Sequence, residues 1–228
     1  MLVTARVGDA LAFAFLPSTS VFSEQLVVLA DSTHRLFAVL QARGHESWTR
    51  FFGSSMKDDL RYTPSDCFET FPFPPDWLSS ESLERVGREY YDFRAALTVR
   101  NNEGLTKTYN RFHDPDERDP DIAKLRELHA AMDRAVLDAY GWTDLQPTCE
   151  FILDYEDEDD DTPGKPSKRK KPWRYRWPDE IRDEVLGGLL ALNAERAKSD
   201  TVRGPAPSGS AKQTKARRTA GSLPFGEA

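Results

Sequence analysis

SLERVGREYYDFRAAL, residues 82–97, places Leu83, Val86, Tyr90, Phe93 and Leu97 at steps of three, four, three and four. Apolar residues at that spacing share one helix face, and a sustained stripe of this kind packs lengthwise on a partner. Ser80 is the predicted N-cap, with Glu81 and Glu84 in the first turn, where the helix dipole favours acids. Asn101-Asn102-Glu103-Gly104 ends the helix. A second stripe follows in Ile122, Leu125, His129, Met132, Val136 and Ala139. It opens on Asp119-Pro120, a cap followed by a proline whose missing N–H costs nothing there, and closes on Gly141. Two striped helices joined by residues 101–118 predict an antiparallel helical hairpin, each seam facing the other.

Upstream the texture differs. Residues 10–16 (ALAFAFL) and 21–30 (VFSEQLVVLA) read as strands, with PSTS as the turn between them. Asp31-Ser32 then caps a helix carrying Leu36, Val39, Leu40, Trp48, Phe51 and Phe52, interrupted at Gly44 and ended by Gly53-Ser54-Ser55. Leu60–Pro74, LRYTPSDCFETFPFP, reads as an extended segment in which proline forbids helix continuation.

Downstream, Asp154–Lys171 sets an acidic block against a basic one, the composition of a disordered linker. Residues 172–198 read as an amphipathic helix segment with Pro178 near its start and Ile181, Val185, Leu189 and Leu192 on one face. Residues 199–228, rich in Ser, Gly, Ala, Pro, Lys and Arg, read as a disordered tail. The predicted class is α+β: a small β-containing N-terminal part, a mainly helical part built on the hairpin and one later helix, and the tail.

The bulk numbers restrict function. The 228 residues carry 31 Lys and Arg against 38 Asp and Glu, a net charge of −7, which is not the overall signature of a nucleic-acid binder. Cys67 and Cys149 stand far apart, signalling neither a disulfide framework nor a zinc site. No apolar run reaches the roughly 18 residues of a membrane span, and the N-terminus lacks a signal-peptide pattern. A cytoplasmic protein with no membrane association is expected.

Catalytic constellations are absent from the sequence. No glycine-rich phosphate loop follows a strand, since Gly53-Ser54-Ser55 lacks the lysine and the spacing. His34, His45, His113 and His129 form no ligand pair, and His129 falls on a helix seam. HDPDERDPDIAK has Asp116, Asp121 and Lys124, but the wrong separation for a nuclease site, and Asp154–Asp161 lacks the pivotal glycine of a calcium loop. Catalytic, cofactor and metal residues are therefore predicted as none. Two stretches do point to nucleic acid. Residues 99–114 concentrate Arg100, Asn101, Asn102, Lys107, Thr108, Tyr109 and Arg111 in one connector. Such side chains serve base edges and phosphates, and equally make an ordinary capped polar loop. KPSKRKKPWRYRW interleaves Arg174 and Arg176 with aromatics, which suits a phosphate backbone and equally a linker docking its rings on the body.

Three stretches carry a family resemblance: Leu60–Pro74, residues 90–142 (YYDFRAAL through DAYGW), and residues 171–196 (KPWRYRWPDEIRDEVLGGLLALNAER). Across residues 5–198 the chain resembles the C-terminal part of large bacterial adenine-specific DNA methyltransferases, the single-chain restriction–modification proteins of the MmeI-like kind and related phage-defence methylases. The resemblance implies that residues 1–78 are the end of a target-recognition domain, residues 79–153 a helical C-terminal domain, 154–171 a charged linker, 172–198 a further helix segment and 199–228 the tail. It implies that Leu60–Pro74 closes the recognition domain, with Phe68, Phe71 and Phe73 packing between the two parts. The family's partners would be double-stranded DNA and an upstream methyltransferase domain or subunit, and its cofactor S-adenosylmethionine. The chain departs from the family in lacking an Asn-Pro-Pro-aromatic motif, its one Pro-Pro being Pro74-Pro75, and a glycine-containing cofactor loop. The expectation is thus a portion inactive alone, as a fragment or a separately encoded recognition subunit. The competing expectations are a protein-interaction module that docks on a methyltransferase or nuclease subunit without touching DNA, and a degraded gene product.

Overall fold

The structure, a computed structural model, describes residues 1–53, 60–153 and 173–203. The predicted 154–171 linker and the tail beyond residue 203 lie outside the described residues. The architecture is α+β, as expected. A three-stranded antiparallel sheet is built from β1 (Leu2–Ala5), β3 (Phe13–Phe15) and β4 (Leu26–Leu29), in the order β3-β1-β4. The two predicted strands therefore do not form a hairpin across PSTS. β1 lies between them, pairing Val3 with both Ala14 and Val28. Its Leu-Val-Thr-Ala run is short, and its three buried positions are fixed by neighbours on both sides rather than by alternation. β2 (Val7–Gly8) pairs with β5 (Leu60–Arg61), tying the start of Leu60–Pro74 to the N-terminus.

The helix predicted after Asp31-Ser32 is two helices, α1 (His34–Gln41) and α2 (Arg43–Phe52), broken at Ala42 in extended conformation, two residues before the predicted interruption at Gly44. Thr33 caps α1, and Asp31 in turn accepts from the Thr33 N–H at 2.6 Å. Leu60–Pro74 is not extended throughout, because Pro64 opens the short helix α3 (Pro64–Cys67). A single turn of 3-10 helix over Trp77–Ser79 then leads to α4 (Glu81–Asn101).

The seams behave as their spacing predicts. Ser80 caps α4, accepting from the Leu83 N–H, and Asn102 ends it in the left-handed region at φ 50°. Leu83, Val86, Tyr90 and Leu97 are buried, with Phe93 half-buried beside them. Asp119 caps α6 (Pro120–Tyr140), which ends at Gly141 with φ 81°. Ile122, Leu125, His129, Met132 and Val136 are buried. α4 packs against α6, and also against α1. Gly87 makes the second contact possible: a Cβ there would stand 2.1 Å from the His34 carbonyl oxygen and 3.1 Å from the Ala38 Cβ. The hairpin is thus not a self-contained pair, and the buried apolar residues form one cluster from Leu2 to Leu189.

Two elements depart from expectation. The connector holds a helix, α5 (Leu105–Phe112). Residues 172–198 are not helical from their start, because β7 (Trp173–Arg176) pairs antiparallel with β6 (Glu150–Leu153) before α7 (Asp179–Arg203) begins. Val185 and Leu189 bury the predicted face of α7, and its helix extends to Arg203, past the predicted boundary at 198.

The ring–ring contacts of Phe68, Phe71 and Phe73 fall on residues within 1–78, not on the helical part as the resemblance implied. Phe71 meets His45 edge-on at 4.5 Å and Trp48 at 5.9 Å, while Phe73 stacks on Trp77 at 5.0 Å. Tyr140 at the end of α6 donates to the Pro72 carbonyl at 2.9 Å, locking this segment onto the helical part. His45, fully buried, lies 3.1 Å from the Tyr62 hydroxyl through Nε2, and burial lowers its pKa to about 3. An unfolded histidine titrates near 6.5. Between those values the unfolded chain binds a proton that the fold refuses, so stability is full above about pH 6.5 and falls on acidification. The slope is about 1.4 kcal/mol per pH unit for one such histidine. Burial lowers His113 and His129 as well, in the same direction. Urea unfolding at pH 7.5 and pH 5 is expected to show the loss, with about 2 kcal/mol of it absent in His45→Phe. An identical pH dependence in that variant would refute the assignment.

Candidate nucleic-acid interface

The connector residues separate into two groups. α5 forms because Leu105, Thr108, Tyr109 and Phe112 stand at i, i+3, i+4 and i+7, a stripe that the helix turns into the core. Thr108 is 1% exposed and donates to the Gly104 carbonyl at 3.2 Å. Tyr109 is 4% exposed, its hydroxyl 3.0 Å from that of Tyr90 and accepting from Arg94 at 2.8 Å. Arg111 is gripped by Glu117 and Asp119, both at 2.6 Å, and by Glu103 at 3.3 Å. Its guanidinium holds Glu117 and Asp119 below the usual carboxylate range. These three side chains fix the connector's shape, and the structure gives each an internal partner.

The others lie at or near the surface. Arg100 pairs with Asp121, and Lys107 with Glu103 at 3.1 Å. Asn101 is half-buried in the last turn of α4, and Asn102 is the exposed cap after it. The carboxylates of HDPDERDPDIAK serve the fold: Asp119 caps α6 and Asp121 pairs with Arg100. Among the described residues no group of three His, Cys, Asp or Glu is placed to hold a metal ion.

Arg174 and Arg176 sit elsewhere, on β7, in the wall of a cleft of about 200 Å³. The strand's period of two turns both toward one side. α2 supplies Arg43, Glu46 and Arg50, the end of α5 adds His113, and Trp177 and Arg182 complete the lining. The cleft is held from behind. Arg43, 4% exposed, donates through Nη1 to Asp133 at 2.6 Å and through Nη2 to the Tyr175 carbonyl at 3.2 Å. The Tyr175 N–H donates to His113 Nδ1 at 3.1 Å. On the rim Asp179 receives Arg176 at 2.5 Å and Arg182 at 2.8 Å, and Glu46 receives Arg50 at 2.9 Å.

The cleft's field is read by its own titrating groups. Burial alone would raise the Glu46 carboxyl, but the charges of Arg50, His113 and Arg43 override it and bring the pKa down to about 2. Burial takes His113 down to about 3, with Arg174, Arg43 and Arg50 adding to the effect and Glu46 opposing it. At neutral pH Glu46 is thus ionised and His113 neutral. Sequence reasoning found the two β7 arginines through their alternation with rings. It missed Arg43, Arg50 and Arg182, which reach the cleft from positions up to 139 residues apart in the chain.

Comparison with known proteins agrees with this architecture. Residues 7–75 match the family model of the MmeI target recognition domain. DNA methyltransferase A of Bacillus subtilis (strain 168) is 27% identical over 123 residues, which are 53% of this chain and 13% of that protein. The fold is similar, with a TM-score of 0.58 and 16% identity, to that of MmeI, a Type IIL restriction–modification enzyme whose structure was solved in complex with DNA. That likeness covers 86% of this chain and 21% of MmeI, so the chain spans a small part of each relative's length. The resemblance seen in the sequence agrees with these matches, in which residues 7–75 are similar to the MmeI target recognition domain.

Proposed function

We propose that the chain is the DNA-recognition and C-terminal helical portion of an S-adenosylmethionine-dependent, adenine-specific DNA methyltransferase of a restriction–modification or phage-defence system. The observation that carries this reading is the target-recognition match over residues 7–75. On this reading residues 1–78 take part in reading the duplex, and residues 79–153 with 172–198 buttress them. Arg100, Asn102 and Lys107 face solvent where they would meet DNA, whereas Thr108, Tyr109 and Arg111 hold α5 in place. Methyl transfer requires an adenine turned out of the stack and a cofactor held beside it. The sequence offers neither the Asn-Pro-Pro-aromatic motif nor a glycine loop for that purpose, so these residues do not fit the cofactor, which this reading assigns to a partner domain. Among the described residues no helix is long and apolar enough to cross a membrane.

Selection of bound duplexes from a randomised pool tests the reading. The purified chain is expected to enrich one short motif that contains adenine. Retention of duplexes without enrichment would mean that the chain binds DNA but does not read it. Retention of none would favour the interaction-module alternative.

A further inference from the structure

We propose that the cleft between α2, β7 and the start of α7 binds a phosphate group of the DNA backbone, held by Arg50, Arg174 and Arg182. The inference deepens the DNA-recognition reading and rests on it. In a chain of net charge −7, the described lining of one small cleft holds five guanidinium groups and one carboxylate, Glu46, with Asp179 on the rim. Arginine is the side chain best shaped for phosphate, because its planar fork presents two parallel donors to two oxygens. The forks are already oriented: Arg50 lies against Glu46, and Arg182 bridges Asp179 and Asp183, both at 2.8 Å. Side-chain entropy that a free surface arginine would lose on binding is therefore partly lost in advance.

The surroundings strengthen the attraction. Trp177, 3% exposed, and Tyr175 form an apolar side to the cleft, so a bound anion is less screened than it would be on open surface. α7 begins at Asp179 beside the cleft, and the partial positive charge of its first turn adds to the arginines. The depressed Glu46 carboxyl reports the same positive field. A water molecule occupies about 30 Å³ of liquid, so about 200 Å³ holds a phosphodiester group with its remaining waters. Arg43 is excluded from the grip because Asp133 holds it inside the fold.

The test is fluorescence anisotropy of the whole chain with a labelled duplex across a salt series of about 50 to 200 mM. Each neutralised phosphate contributes about 0.9 to the slope of log affinity against log salt. The double variant Arg174→Gln/Arg182→Gln is expected to lower the slope by about 1. The charge-matched control Arg85→Gln/Arg88→Gln, on the exposed side of α4, is expected to leave the slope unchanged. Thermal melting of each variant verifies the fold, and Arg50→Gln alone serves if the double variant does not fold. Equal slopes in wild type and cleft variant, with binding intact, overturn the proposal and leave the DNA-recognition reading standing. A wild-type chain that binds no duplex at the lowest salt overturns both. Inorganic phosphate is the second probe. If it raises the melting temperature of wild type but not of the variant while the DNA slope stays unchanged, the site takes free phosphate, and the assignment to the backbone is overturned.

Discussion

Asp133→Ala is expected to lower the free energy of unfolding by about 3–5 kcal/mol, the cost of leaving a buried charge without its partner. Asp133 is 2% exposed, on α6, with Arg43 and His129 each 4% exposed around it. Its carboxylate does two things at once. Oδ2 accepts from Arg43 Nη1 at 2.6 Å, and Oδ1 accepts from the Arg43 backbone N–H at 2.8 Å. The second bond is a helix cap delivered from a distance: α2 follows Ala42, which offers no side-chain cap. One of the first-turn N–H groups that a helix cannot satisfy itself is answered by a residue 90 positions later. Burial would raise the Asp133 carboxyl, and the charges of His129 and Arg43 bring it below its ordinary value instead. Asp133→Asn keeps the acceptor for the N–H and loses the charge, so it should fall between wild type and Asp133→Ala in urea denaturation followed by circular dichroism. A loss below about 1 kcal/mol in the alanine variant would mean that water enters and solvates Arg43. Because Arg43 also donates to the Tyr175 carbonyl, the same variant should loosen β7 and with it the cleft wall.

What the sequence disclosed and what it concealed differ by the range of the interactions. Caps and seams are local, so Ser80, Asp119 and Gly141 and the three–four stepping of α4 and α6 were legible from neighbours within one or two turns. Strand pairing is not local. β1 enters between β3 and β4, and β6 meets β7 across a charged intervening segment, and neither partner can be chosen from composition. α5 is concealed for another reason: in the sequence Thr108 and Tyr109 read as polar surface groups, although with Leu105 and Phe112 they complete an amphipathic stripe. The same bias hid Arg111, whose three carboxylate partners lie within eight residues of it. The cleft is the opposite case. Alternating Arg and aromatic residues on β7 gave its first half, and only the packing of α2 against α7 brings Arg50 and Arg182 to the other.

Arg94 was the least legible residue, and its removal carries the second large expected effect. It is 2% exposed on α4, one position past the seam residue Phe93. Among the described residues no carboxylate lies within ion-pairing distance of it. Neutral groups hold the charge instead: Nη1 donates to Gln41 Oε1 at 3.1 Å and to the Tyr109 hydroxyl at 2.8 Å, and Nη2 to the Phe13 carbonyl. The guanidinium also lies 5.3 to 5.9 Å from the ring centroids of Phe37, Tyr90, Tyr91 and Tyr109. Burial works against the charge, and the phenols of Tyr109 and Tyr90 outweigh it, so Arg94 stays protonated. One side chain thereby joins β3, α1, α4 and α5, tying the segment that matches the target-recognition model to the helices packed against it. Arg94→Ala leaves a cavity and takes one donor from each of three acceptors, of which Gln41 Oε1 keeps the Phe13 N–H and the Tyr109 hydroxyl keeps Tyr90, and is expected to cost about 3–5 kcal/mol. Arg94→Met refills the volume but not the bonds, and should recover part of that loss. Arg94→Lys keeps the charge yet cannot offer a planar fork to acceptors on two sides, so it should resemble Met rather than wild type. If Lys were fully tolerated, charge and ring contact would be the essential terms and the fork would not. A double-mutant cycle of Arg94→Met with Tyr109→Phe separates these: a coupling above about 1 kcal/mol assigns the energy to the hydrogen bond, and a coupling near zero assigns it to the aromatic cage. Amide exchange in α5 supplies the functional reading of the same variants. The helix carrying Lys107 is anchored through Tyr109, so exchange there should accelerate in step with the loss of that bond.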